Sequence, residues 1–380
     1  MKLACYDGLA RSRVSSATMG TQVLMAVRWS VNDGGLSIGS HTVSQETGMR
    51  CVIETRRGML VSIAAAGWMC AALISSSLWA QNFPTKPVRY IIPFPAGTSN
   101  DIVGRLLTDK LTRLWGQQVV VENRVGASGT IGAAYVAKTA APDGYTLLHC
   151  NIAPNAISLS MIAKLPYEHK DFAPVTRIGM PPNVFTVHPS TPFKTIKEMV
   201  AYAQANPGKL SYASGLVGTS PHLSMELLKQ RLKFNVVHIP FVNAEQGVQQ
   251  VMAGEIPINV TNMPTIVSKV QGKRLRALGV GSAKRQPLLP DVPTMQESGV
   301  PDFEVNSWYG VCAPAAVPAA LLDKLNADIV SVLRQPDLEQ RLTDLGMPPA
   351  PTTRDEFDKF MRGEIARWAK VIQDAKIPKQ

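Results

Sequence analysis

Short apolar runs alternate with stretches of helical periodicity along most of the chain. Residues 88–94 read as a buried strand. Residues 101–115 follow with Ile102, Leu106, Leu107, Leu111 and Leu114 recurring at helical spacing. The alternation continues with strands over 118–121, 145–149, 183–187, 210–213, 236–239, 256–260 and 275–280. Helices fall over 131–139, 196–205, 221–232 and 244–253, the second of them stopped by Asn206-Pro207-Gly208. Beyond residue 318 the pattern turns helical, over 319–334, 336–345 and 354–375. Strand–helix alternation predicts α/β architecture with mainly parallel sheets flanked by helices. The strands exceed one modest sheet, so two lobes are expected. With no internal repeat and no long linker, the lobes should share the chain: residues 81–182 plus 307–380 in lobe 1, and 183–306 in lobe 2.

The N-terminal segment has a different pattern. Residues 59–74 are continuously apolar, Arg50, Arg56 and Arg57 precede them, and small residues lead to Ala80. These are the three parts of an export signal, placed over residues 49–80, and the apolar run is short for a membrane span of roughly 20 residues. An uncleaved anchor is the other reading. Arg56-Arg57 loosely resembles a twin-arginine signal. Trp68-Met69 before Cys70 argue against lipidation. Residues 1–48 lack periodicity and read as an extension from a start codon assigned too early, with Met49 or Met59 the true start.

Composition adds limits. The formal charge over 380 residues is +11, with seven Lys/Arg and four Asp/Glu before residue 81, so the remainder keeps +8. Those charges are scattered, Lys273-Arg274-Leu275-Arg276 being the densest run, and nucleic acid is not an expected partner. Cys150 and Cys312 follow the signal. Two separate buried thiols are the preferred reading, although export would permit a disulfide. Without a CxxC pattern or a spaced histidine pair, no metal site is expected.

Three loops could carry chemistry. Residues 93–101 lead from a strand to a helix, with Pro and Gly for a tight turn and Thr98, Ser99 and Asn100 at the helix start. Open backbone N–H groups there favour a carboxylate or phosphate, although an ordinary capped helix explains one such loop alone. Residues 214–222 repeat the design, with Ser214, Gly215, Gly218, Thr219 and Ser220 before His222. A lone histidine in a first helical turn is more often structural than a ligand contact. Residues 125–132 resemble a dinucleotide fingerprint but are spaced G-x-x-G-x-x-G, so no nucleotide or other cofactor is expected. Signatures of hydrolases, zinc peptidases and deaminases are missing. Trp308 reads as core.

The ordered runs Phe83-Pro84-Thr85-Lys86-Pro87, Pro93-Phe94-Pro95-Ala96-Gly97, Val119-Val120-Val121-Glu122-Asn123-Arg124, Pro142-Asp143-Gly144-Tyr145, Asn206-Pro207-Gly208-Lys209, Leu289-Pro290-Asp291-Val292-Pro293-Thr294 and Trp308-Tyr309-Gly310 carry a resemblance. From about residue 83 to 377 the chain resembles the Bug family, the periplasmic receptors of tripartite tricarboxylate transporters. The resemblance implies a two-lobed type II periplasmic binding fold that captures a carboxylated solute, not an enzyme. A periplasmic enzyme acting on a small carboxylate or ester, on the same scaffold, is the alternative. The implied ligand loops bring in Phe94, Ala96, Gly97, Thr98, Ser99, Asn100 and Asp101, then Ser214, Leu216, Gly218 and Thr219, with His222. Asn151 opens a further loop, and Thr261 stands where the family has an acidic residue. Leu216 replaces a usual Gly, and Val242 a usual Lys. These departures imply a less polar ligand, an aromatic or short aliphatic monocarboxylate. The implied partners are membrane permease subunits or a sensor kinase, and the implied state is a monomer.

Overall fold

The computed structural model describes residues 83–374 and 379. The extension over 1–48, the signal over 49–80 and the first three cysteines lie outside the described residues.

Ten strands form two five-stranded sheets. The first sheet contains β1 (Val88–Ile92), β2 (Val119–Asn123), β3 (Thr146–Asn151), β4 (Phe172–Gly179) and β10 (Tyr309–Pro314), in the order β2-β1-β3-β10-β4. The second contains β5 (Asn183–Val187), β6 (Ser211–Ser214), β7 (Val237–Pro240), β8 (Ile258–Asn262) and β9 (Arg276–Val280), in the order β7-β6-β8-β5-β9. Both sheets are mixed. In the first, β10 alone runs against its neighbours, and in the second β5 does so. Each reversed strand is the first one after the chain passes between sheets. Four strands of each sheet therefore share one direction, as the alternation predicts.

The helices are α1 (Ser99–Trp115), α2 (Thr130–Lys138), the short α3 (Ser158–Met161), α4 (Ile196–Ala205), α5 (Ser220–Leu232), α6 (Ala244–Met252), α7 (Met263–Gln271), α8 (Ala319–Leu333), α9 (Pro336–Asp344) and α10 (Arg354–Asp374). Helix α1 buries Val103, Leu107 and Leu111, one turn apart on one face, and ends at Gly116 in the left-handed region. In α4 the Thr195 hydroxyl accepts from Glu198 N at 3.1 Å, a cap whose loss costs about 1 kcal/mol. Helix α10 returns to pack on β4 and α3, and Trp308 is buried against its Phe357 and Phe360, as expected of a core residue.

The two segments that join the sheets run side by side. Pro182 bridges Asn306 antiparallel, and Ser307 N donates to Pro181 O at 2.9 Å. The cysteine expectation is corrected here: Cys150 and Cys312 form a disulfide, with Cα atoms 5.8 Å apart. Strands β3 and β10 are neighbours, so Cys312 lies diagonal to Cys150 across the pair. Strands β4 and β10 and helix α7 have no counterpart in the periodicity reading.

Candidate functional site

The strands that share a direction end at one cleft, where helices begin. Two of the turns there are copies of each other. In Pro95-Ala96-Gly97-Thr98 and in Leu216-Val217-Gly218-Thr219 the threonine N–H donates back three residues, at 3.4 and 3.1 Å. The threonine hydroxyls donate to the same carbonyls, Pro95 O and Leu216 O, each at 2.7 Å. The third residue of each turn has φ near +80°, 79° at Gly97 and 84° at Gly218, which explains glycine there. Each glycine N–H is then held by the side chain four residues on. Gly97 donates to Asp101 Oδ2 at 3.0 Å, and Gly218 to His222 Nδ1 at 3.3 Å.

This geometry leaves the helix starts open. Because the threonine hydroxyls turn back into their own loops, neither Thr98 nor Thr219 caps its helix. The first N–H groups of α1 and α5, with the positive ends of the helix dipoles, face the cleft. Ser99, Asn100, Thr219 and Ser220 all line it. Such a pair of sites suits an oxyanion.

The cleft has a volume of about 630 Å³, counting space open to solvent. Of the ligand-loop residues, Phe94, Thr98, Ser99, Asn100, Asn151, Leu216, Thr219 and Thr261 line it. Ala96, Gly97, Asp101, Ser214, Gly218 and His222 lie outside its lining. Asp101 and His222 stand behind the loops as the braces just described. Asp101 also pairs with Arg105 at 2.9 Å and accepts from Asn123 at 2.9 Å. Burial opposes its charge, but these donors hold its carboxyl below the usual range. Ser214 Oγ lies 2.8 Å from His238 Nε2, and the His238 ring sits 4.4 Å from that of His222. Burial pushes both imidazoles down to about 4. Gly218 faces Met161 in a neighbouring, largely apolar hollow that Leu216 also lines. Ala96 O accepts from Asn243 at 3.4 Å at the rim.

Other lining residues had no signal in the sequence. Ser307, Asn262 and Thr265 arrive from distant segments. The glycines of the rejected dinucleotide motif, Gly126 and Gly129, line the cleft because Gly129 packs against Phe94, where a Cβ would meet the ring at 3.2 Å. Asn123 fixes the first loop by donating to Phe94 O at 2.9 Å.

A buried polar chain runs beneath the cleft. Tyr309 Oη lies 2.6 Å from Ser99 Oγ and donates to Asn262 Oδ1 at 3.2 Å. Asn262 donates to Asn183 at 2.7 Å, and Asn183 to Ser224 at 2.6 Å. Ser128 Oγ donates to Val217 O at 2.6 Å, a further tie between the lobes. Among the described residues no Lys, Arg, Asp, Glu or His lines the cleft, and no cluster of His, Cys, Asp or Glu could hold a metal.

Two mixed α/β lobes closing on a cleft of open helix starts define a two-lobed periplasmic-type solute-binding protein. The chain belongs to the tripartite tricarboxylate transporter family of receptors, whose model matches residues 103–377. It is 34% identical over 316 residues to the protein BugT of Bordetella pertussis, an alignment covering 83% of this chain and 95% of that one. Among solved structures it is similar to an R. palustris protein with adipate, at 31% identity and TM-score 0.75, covering 78% of this chain and 99% of that one. It is also similar to MatC of Rhodopseudomonas palustris with bound malate, at 31% identity and TM-score 0.72, covering 76% and 100%.

Proposed function

We propose that this protein is a periplasmic receptor that captures a small carboxylate between its lobes and presents the closed form to a membrane permease or a sensor kinase. It acts by binding, not by turnover, and as a monomer. The carrying observation is the pair of matching turns that open α1 and α5 toward one cleft. The N–H groups of Ser99, Asn100 and Ser220 would hold the carboxylate, and Asn100 and Thr261 would add side-chain contacts. We place the hinge where the paired segments around Pro182 and Asn306 cross, giving lobes of residues 81–182 plus 307–380 and 183–306. Export through residues 49–80 brings the chain to the compartment of its structural relatives. The adipate and malate held by two of those relatives support a carboxylate ligand.

A thermal-shift series of mono-, di- and tricarboxylates tests this. A ligand present at 100 times its Kd adds about 2.7 kcal/mol to apparent stability, so a binder raises Tm. Asn100→Asp, which puts a negative charge at the α1 start, should abolish the shift. No shift with any carboxylate, together with turnover of an ester or amide, would overturn the proposal.

A further inference from the structure

Helix starts around the cleft differ in what their N–H groups already do. At α6, the Asn243 side chain accepts from Glu245 N at 3.0 Å. At α7, Met263 N donates to Pro182 O at 3.0 Å, and Pro264 has no N–H. Before α2, Gly129 N donates to Gly126 O at 2.9 Å and Thr130 N to Ala127 O. After β3, Asn151 N and Ala153 N are taken by the side chains of Asn155 and Asn151, at 3.1 and 2.7 Å. Among the described residues that line the cleft, α1 and α5 are the starts where no side chain or loop carbonyl takes a first-turn N–H, although Pro221 of α5, like Pro264, has none to offer.

From this we infer that the solute carries one carboxylate on an otherwise uncharged body, an inference that rests on the carboxylate capture proposed above. Each open helix start acts as roughly half a positive charge, so the two together balance about one anion. The nearest full charges do not raise that figure, because Asp101 and Arg105 offset each other at 2.9 Å. The buried side chains turned to the cleft are neutral. Asn100, 6% exposed, spends its Oδ1 on Asn151 at 2.8 Å, and its amide N–H groups have no acceptor among the described residues. Thr261, 2% exposed, likewise has a hydroxyl with no partner among the described residues. Such groups can orient a carboxylate or a hydroxyl but bring no charge. Val125, Ile152, Leu216 and Val242 add apolar wall, and the other polar residues there, Asn151, Asn262, Thr265 and Ser307, are neutral as well. A second carboxylate against that wall would be desolvated without a counter-charge, which is strongly unfavourable.

Matched acids test the inference by calorimetry on the full mature chain: hexanoate against adipate, and benzoate against terephthalate. In at least one pair the monoacid should bind tighter by on the order of 100-fold, the scale of an uncompensated buried charge. Val242→Arg supplies the missing charge at a position 60% exposed, where folding should tolerate it. It should narrow that gap, with the unliganded Tm as the folding control. Equal or tighter binding of the diacids by the wild-type protein overturns the inference but leaves carboxylate capture intact. A gap that Val242→Arg does not narrow also overturns it, because charge then does not set the preference. Binding of neither acid type overturns carboxylate capture itself.

Discussion

Tyr309 Oη donates to Asn262 Oδ1 across 3.2 Å, and this bond joins the first lobe to the second beneath the cleft. The same hydroxyl lies 2.6 Å from Ser99 Oγ, at the first residue of α1. Lobe closure and the open helix start therefore share one buried group. Tyr309→Phe should lower unfolding stability by about 1–2 kcal/mol, because the buried Ser99 and Asn262 each lose a partner. It should also shift the population toward a more open form, seen as a larger radius of gyration in solution scattering. Unchanged stability and scattering would show that the bond does not hold the lobes.

Gly97 and Gly218 allow a second, comparative prediction. Both need positive φ, so alanine at either should cost about 1 kcal/mol of backbone strain. Their surroundings differ. A Cβ on Gly97 meets nothing within 4 Å, whereas one on Gly218 meets Met161 Sδ at 3.2 Å. Gly218→Ala should thus be the more destabilising of the two in urea titrations. Adding Met161→Ala should reduce that excess if the contact is its source.

What the sequence disclosed follows the range of the interactions involved. The turns at residues 93–101 and 214–222 are local devices, so their Pro, Gly, Thr and Ser content was sufficient to find them. Their braces were half visible: Asp101 and His222 were noted, but as ligand contacts, since only the folded turn shows them facing the glycine N–H groups. Strands β4 and β10 carry Pro174 and Pro314 and are buried on both faces almost throughout, so alternation gave no period to detect. Helix α7 opens with Met263-Pro264, which reads as loop. Asn262, Thr265 and Ser307 reach the cleft only through the packing of two lobes.

Acid should weaken the fold in a defined window. Burial holds His149 at about 3 and His222 and His238 at about 4, below the ordinary value of 6.5. As pH falls below about 6.5 the unfolded chain takes up protons that these native imidazoles refuse. Stability is then fully present above that pH and declines until the native groups titrate, His222 and His238 near pH 4 and His149 near pH 3. The slope can reach about 1.4 kcal/mol per pH unit for each histidine. Urea midpoints should be level from pH 7 to 8 and fall steadily from pH 6 to 4.5. Level midpoints down to pH 4.5 would mean that these histidines are not held neutral in the native state.

The disulfide sets the last expectation. Cys150 and Cys312 are fully buried, and their sequence separation is 162 residues. In the unfolded chain such a link removes loop entropy worth about 5 kcal/mol, with measured effects commonly about 2–5 kcal/mol. In the native chain it fastens the two central strands that carry Asn151 and Tyr309 to the cleft. The Cys150→Ala, Cys312→Ala double variant should lose stability within that range. It should keep its ligand if β3 and β10 hold their register through backbone bonds alone. A large loss of affinity at temperatures where the variant is still folded would instead give the disulfide a direct part in positioning those residues.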